Sequence, residues 1–218
     1  MMDLHSQPKP VLLVQSTGSG KSSIPLICAI VDGGVTIIIE NTLALSSDQA
    51  SKVDNQVNQN IKNVCAFQLE LFKTSPPPPP QQQQQLLTSI CSKCSADLDL
   101  SIVIFLSPKT LLLDVWIKFI KELVSQKLLQ LLCIDKTHLF VEFGVTFCKD
   151  FLKLVSSLNG LYDSQKKLQA PLLMMTTTFN YKYMSLIQHM LSISILQQNT
   201  FWGDIGTFLK HHISIKFK

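Results

Sequence analysis

The sequence predicts an α/β domain whose mainly parallel sheet is flanked by helices. Three observations predict it. Short apolar, β-branched runs alternate with longer segments of helical periodicity. The first run leads straight into a glycine-rich loop and a helix. A later run ends on an aspartate, as a buried strand does when it delivers a carboxylate to a sheet edge. The chain has 218 residues, enough for one good-sized domain, and 46% hydrophobic against 16% charged residues allow a substantial core.

Residues 1–10 read as an N-terminal tail, and residues 11–218 as the domain. "VLLV" (11–14) is a short buried strand, and "SSIPLICAIV" (22–31) is a helix that tolerates Pro25 in its first turn. "DGG" (32–34) ends it, and "VTIIIE" (35–40) is the next strand. Ser46 or Ser47 caps a helix through "DQASKVDNQVNQN". "SPPPPPQQQQQ" (75–85) is low-complexity: the prolines favour an extended rod, the glutamines form a polar tract, and the whole reads as a surface insertion outside the core. "SIVIFLS" (101–107) is a strand, "LLLDVWIKFIKELVSQ" (111–126) a helix and "LQLLCID" (129–135) a strand. "CKDFLKLVSSLNG" (148–160) is helical, "PLLMMT" (171–176) a strand, "YMSLIQHML" (183–191) a helix, and the tail "HHISIKFK" a last strand.

Composition excludes several functions. All nineteen basic residues are lysine, so bidentate guanidinium recognition of phosphate or bases, and an arginine finger from this chain, are both ruled out. No apolar run reaches the roughly 18 residues of a membrane span, and the start carries no secretory h-region. Six scattered cysteines read as reduced thiols of an intracellular protein. "CSKC" (91–94) has zinc-like spacing but no second pair, which leaves the metal reading weak.

The loop "TGSGKS" (17–22) carries the chemistry. Gly18 and Gly20 let backbone N–H groups turn toward a phosphate, and the helix start behind them adds partial positive charge. Lys21 can reach outer phosphates and Ser22 can place its hydroxyl on Mg²⁺. Gln15 stands where the full P-loop pattern has its first glycine. The second requirement, a carboxylate for the metal shell at a strand end, is met by Asp135 in "IDKTH" (134–138).

Further stretches follow in order: "IIIENTLALSSDQ" (37–49), "FLSPKTL" (105–111), "LFVEFGVTFCKDF" (139–151) and "MTTTF" (175–179). With "STGSGKS" and "IDKTH" they resemble motifs I, Ia, Ib and II, the aromatic-rich loop, and motif III of the first RecA-like lobe of superfamily 2 DNA helicases. The likeness is greatest to the RecQ-like DEAD/DEAH-box enzymes, over about residues 11–180. That resemblance implies a RecA-like P-loop lobe using ATP and Mg²⁺. Thr17, Gly18, Ser19, Gly20, Lys21 and Ser22 would hold the nucleotide, with Ser22 and Asp135 at the metal. It implies that His138 couples the nucleotide to a second lobe, and that Thr176 and Thr178 couple hydrolysis to DNA movement. Thr42 and Ser107 would approach DNA backbone phosphates. Phe143 and Phe147 would sense or stack on single-stranded DNA, core packing being their other reading. The implied partner is single-stranded or forked DNA, or RNA, with no membrane, and the implied location is nuclear.

The departures matter as much. Lys136 stands where the family has the glutamate that polarises the attacking water, and a charged lysine cannot accept that proton. Glu142, six positions beyond, cannot be assumed to replace it. Cys148 falls at the aromatic loop's usual arginine. About 40 residues follow motif III, too few for a second lobe, so the expectation is an ATP-binding lobe impaired in hydrolysis alone, or one acting with a second lobe in trans. The alternative is a non-catalytic nucleic-acid or protein interaction module descended from a helicase.

Overall fold

The computed structural model describes residues 8–40, 64–68, 80–97, 100–138, 169–178, 180–191 and 193–203. Among the described residues seven strands form one sheet: β1 (Val11–Val14), β2 (Gly34–Ile39), β3 (Val64–Gln68), β4 (Ser101–Leu106), β5 (Leu129–Ile134), β6 (Leu172–Thr176) and β7 (Thr200–Trp202). The order across the sheet is β3-β4-β2-β5-β6-β1-β7, and every pairing is parallel. All seven strands therefore end at one edge, where open α/β sheets bind ligands.

The helices are α1 (Ser23–Asp32), α2 (Pro80–Ala96), α3 (Pro108–Leu111), α4 (Asp114–Ser125) and α5 (Tyr181–Leu191). Strand side chains alternate between two cores, as a period of two requires. One face packs Leu13, Ile38, Val103, Phe105, Cys133 and Met175 against Ile24 and Ala29 of α1. The other packs Leu12, Ile37, Ile104 and Leu132 against Trp116 and Leu123 of α4, Ile90 of α2 and Ile187 of α5. Helix α4 buries Trp116, Phe119, Ile120 and Leu123, one face at helical spacing, and Asp114 in its first turn suits the dipole. Among the described residues no helix is long and apolar enough to cross a membrane.

Gly33 (φ 68°) ends α1, and Gly34 begins β2 where the chain passes close to β5. The φ of Gly34 is +67°, and a Cβ there would stand 2.7 Å from Gln130 Cγ and 2.9 Å from the Leu128 carbonyl. Gly33 N–H bonds back to Ala29 O at 3.1 Å and closes the helix.

Three expectations need correction. The glutamines of the low-complexity tract were expected outside regular structure, but residues 80–85 form the first turns of α2. Pro80 suits a first helical position, glutamine is a good helix former, and Leu87, Ile90, Cys91 and Cys94 bury the next turns. Gln81 and Gln85 do remain exposed. The helix expected over 111–126 begins at Asp114, because Leu113 is extended (ψ 135°), and the short α3 (Pro108–Leu111) precedes it. Strands β3 and β7 had no counterpart in the sequence reading. The helices expected at 48–60 and 148–160 and the strand expected in the tail lie outside the described residues.

Candidate nucleotide-binding site

The loop after β1 turns through Gly18 (φ 80°) and Gly20 (φ 83°), left-handed conformations that favour glycine. No heavy atom lies within 4 Å of where a Gly18 Cβ would be, so backbone geometry rather than crowding selects glycine there. Ser23 N–H and Ile24 N–H bond to the carbonyls of Gly20 and Lys21, each at 3.0 Å, and start α1. Lys21 is buried, and its Nζ donates to Gln15 O at 2.8 Å and Ser16 O at 2.6 Å. Ser22 precedes α1 in helical conformation and its side chain makes no capping bond. Its hydroxyl is not committed to the helix end.

Gln15, which stands in place of a glycine, holds the loop's root. It is 3% exposed, its Oε1 accepts from Ser19 Oγ at 3.1 Å, and its Nε2 donates to Gly203 O at 3.2 Å. The substitution ties the loop to the end of β7 rather than merely tolerating its backbone.

Asp135 leaves β5 at the same edge and is 9% exposed. Its Oδ1 accepts the Lys136 backbone N–H at 2.9 Å. Strand β6 alone separates β5 from β1, so Asp135 and the loop are about 10 Å apart across two interstrand spacings. Burial pushes the Asp135 carboxyl up, while the Lys136 and Lys21 ammoniums, the Lys136 N–H and His138 pull it back part way. Burial lowers Lys21, and the Asp135 carboxylate opposes that. The two groups thus feel each other across the gap.

The turn after Asp135 is anchored to β6. Lys136 is left-handed (φ 56°), which brings Thr137 N–H to Met175 O at 2.9 Å. Thr137, 1% exposed, also places Oγ1 at 3.1 Å from Ile134 O and 3.2 Å from Met175 O. His138 Nδ1 then meets Thr176 Oγ1 at 2.9 Å, and that hydroxyl donates to Thr178 O at 2.8 Å. The Gln15 N–H bonds Thr176 O at 3.0 Å, so β6 links the aspartate turn to the loop.

The expected site residues from Thr17 to Ser22, with Asp135, Lys136, His138, Thr176 and Thr178, therefore gather at one edge. Ser107 ends β4 at the same edge, where its Oγ caps α3 by accepting the Thr110 N–H at 3.1 Å. Thr42, Phe143 and Phe147 lie outside the described residues. Cys91 and Cys94 are buried in the core on α2. Gln15, Thr137 and Glu40 were not singled out as site residues beforehand. Glu40 had a readable signal: "VTIIIE", like "LLCID", is an apolar run ending on a carboxylate.

Comparison with known proteins decides the family. The model of the DEAD/DEAH box helicases matches residues 1–186. The chain belongs to that family. No curated protein matches it. Two solved structures of the DUF1998 helicase MrfA share its fold. The complex with DNA covers 91% of this chain and 24% of MrfA, at 16% identity and a TM-score of 0.54. The complex with DNA and AMPPNP covers 90% of this chain and 25% of MrfA, at 14% identity and a TM-score of 0.53. A hypothetical ATP-dependent RNA helicase from Sulfolobus tokodaii matches over 84% of this chain and 46% of its own, at 16% identity and a TM-score of 0.49. This chain spans between 24% and 46% of the length of those three structures.

For a DEAD/DEAH box helicase, the all-parallel sheet with flanking helices is the RecA-like lobe, and the family uses ATP, typically with Mg²⁺. The residues fit that pair. Among the described residues no three of His, Cys, Asp or Glu gather into a metal cage. Mg²⁺ at a phosphate site needs none, because it keeps waters and takes one or two carboxylates with the phosphates. Asp135 would supply such a carboxylate and Ser22 a hydroxyl, and Lys21, now on the carbonyls of Gln15 and Ser16, would exchange them for phosphate oxygens.

Proposed function

We propose that this chain is the ATP-binding lobe of a RecQ-like DNA helicase, able to bind Mg²⁺-nucleotide and impaired in hydrolysing it. The observation that carries the reading is the glycine loop with Lys21 and the strand-end Asp135 at one sheet edge, with β6 alone between their strands. Lys21, Ser22 and the N–H groups of the 17–22 loop hold the phosphates, and Ser22 with Asp135 hold the metal. Bound Mg²⁺ supplies charge neutralisation at the outer phosphates. His138 joined to Thr176 carries the state of the site toward Thr178 and beyond.

Lys136 sets the limit on activity. It follows the metal aspartate where a carboxylate is needed to take the water's proton, and it cannot take it while charged. Unwinding also needs a second lobe moving against this one, and an arginine supplied by that lobe, since this chain has none. That lobe would act in trans or belong to a longer chain. Nucleic acid is the partner, single-stranded or forked DNA being the first expectation and RNA the alternative. MrfA is described bound to DNA, and Ser107, Thr42, Phe143 and Phe147 are the residues assigned to the strand. The expected location is nuclear.

The test is ATP turnover with forked DNA, for wild type and Lys136→Glu, with and without a helicase second lobe in trans. Little turnover by wild type under any condition, and DNA-stimulated turnover by Lys136→Glu with the second lobe, support the reading. Unwinding of the fork by wild-type chain alone overturns it.

A further inference from the structure

We propose that Glu40 is a second carboxylate of the divalent-cation site and offsets the positive charge of Lys136. The inference rests on the nucleotide-lobe reading above and adds a residue to it. Strands β2 and β5 run parallel with Ile39 opposite Ile134, and Asp135 N–H bonds Ile39 O at 3.0 Å. Glu40 and Asp135 therefore leave adjacent strands at the same level of the binding edge. Alternation puts both on the α1 face, because the residues two before them, Ile38 and Cys133, belong to the core beneath α1.

Glu40 is 2% exposed. A glutamate buried that deeply is costly unless charge around it compensates. The edge holds that charge. Lys21 and Lys136 are two cations against one anion if Asp135 stands alone, a poor setting for a divalent metal. Glu40 makes the count two against two. A carboxylate one strand over acts on the metal through its water shell, as outer carboxylates do.

The experiment measures binding of a fluorescent ATP analogue with Mg²⁺ and with EDTA, for wild type, Glu40→Gln and Asp135→Asn. Wild type is expected to bind more tightly with Mg²⁺. Glu40→Gln is expected to lose about tenfold of that enhancement, read as the ratio of its affinities with Mg²⁺ and with EDTA. Unchanged Mg²⁺ enhancement in folded Glu40→Gln overturns the role of Glu40 and leaves the nucleotide reading standing. Failure of wild type to bind in EDTA or Mg²⁺ overturns both. Should Glu40→Gln not fold, Fe²⁺ with ascorbate on wild type decides. Cleavage near residues 40 and 135, suppressed by excess Mg²⁺, supports the site, and cleavage near 135 without 40 overturns it.

Discussion

His138 Nδ1 lies 2.9 Å from Thr176 Oγ1, and this contact joins the turn after β5 to the end of β6. The Thr176 hydroxyl spends its one proton on Thr178 O, so it accepts from the imidazole. Nδ1 therefore carries the hydrogen. Thr176→Val removes the acceptor. It should lower stability by about 1 kcal/mol, which is about 3 °C in melting temperature for a domain of this size. Nitrogen NMR should show His138 losing its Nδ1–H preference. Thr176→Ser should preserve both.

The charged pair at the site costs stability that neutral substitutions recover. Burial raises Asp135, so the folded protein holds that proton more tightly than the unfolded chain. Its contribution is favourable below the ordinary carboxylate range and is lost as pH rises through the raised value. Asp135→Asn should therefore exceed wild type in stability near neutral pH. The gap should shrink as the pH falls toward about 4. For Lys21 the sign is opposite: the depressed amine costs stability at neutral pH, and the cost is relieved as pH rises toward its ordinary value of 10.5. Melting curves of Asp135→Asn and Lys21→Met across pH check both directions.

Two core positions predict changes of opposite sign. Thr36 is fully buried in β2, and its Oγ1 has no hydrogen-bond partner among the described residues. Thr36→Val should stabilise the fold by roughly 1 kcal/mol, since an unsatisfied hydroxyl is removed without a cavity. Gly34→Ala should destabilise by about 2–4 kcal/mol, from a left-handed backbone and contacts with Gln130 and Leu128. Urea unfolding measures each.

The two tryptophans report on different places. Trp116 is fully buried, edge-on to Phe119 with ring centroids 5.6 Å apart, whereas Trp202 is 56% exposed beside the loop strand. Trp202→Phe should leave a blue-shifted emission poorly quenched by acrylamide. Trp116→Ala should cost about 3–5 kcal/mol.

How much of this was legible depended on apolar patterning. Strands β1, β2, β4, β5 and β6 were readable to within a residue or so, because buried parallel strands are continuous runs such as "SIVIFL". Strand β7 has three residues, "TFW", and β3 reads "VCAFQ", with too little run to stand out. The P-loop and Asp135 were legible because their chemistry fixes both residue type and context. The roles of Gln15, Thr137 and Glu40 depend on neighbours distant in sequence: Gly203, Met175 and the strand carrying Asp135. For Gln15 and Thr137 nothing local reports such pairings, whereas the apolar run ending on Glu40 does mark a strand-end carboxylate.

The central claim is that Lys21 and its loop bind nucleotide. Equilibrium titration of a fluorescent ATP analogue with Mg²⁺, comparing wild type with Lys21→Ala, tests it most directly. The account predicts saturable binding by wild type and at least about tenfold weaker binding by Lys21→Ala, the loss of one charge-assisted phosphate contact. Absence of binding, or equal binding by both proteins, would contradict it and shift the weight to a non-catalytic interaction module.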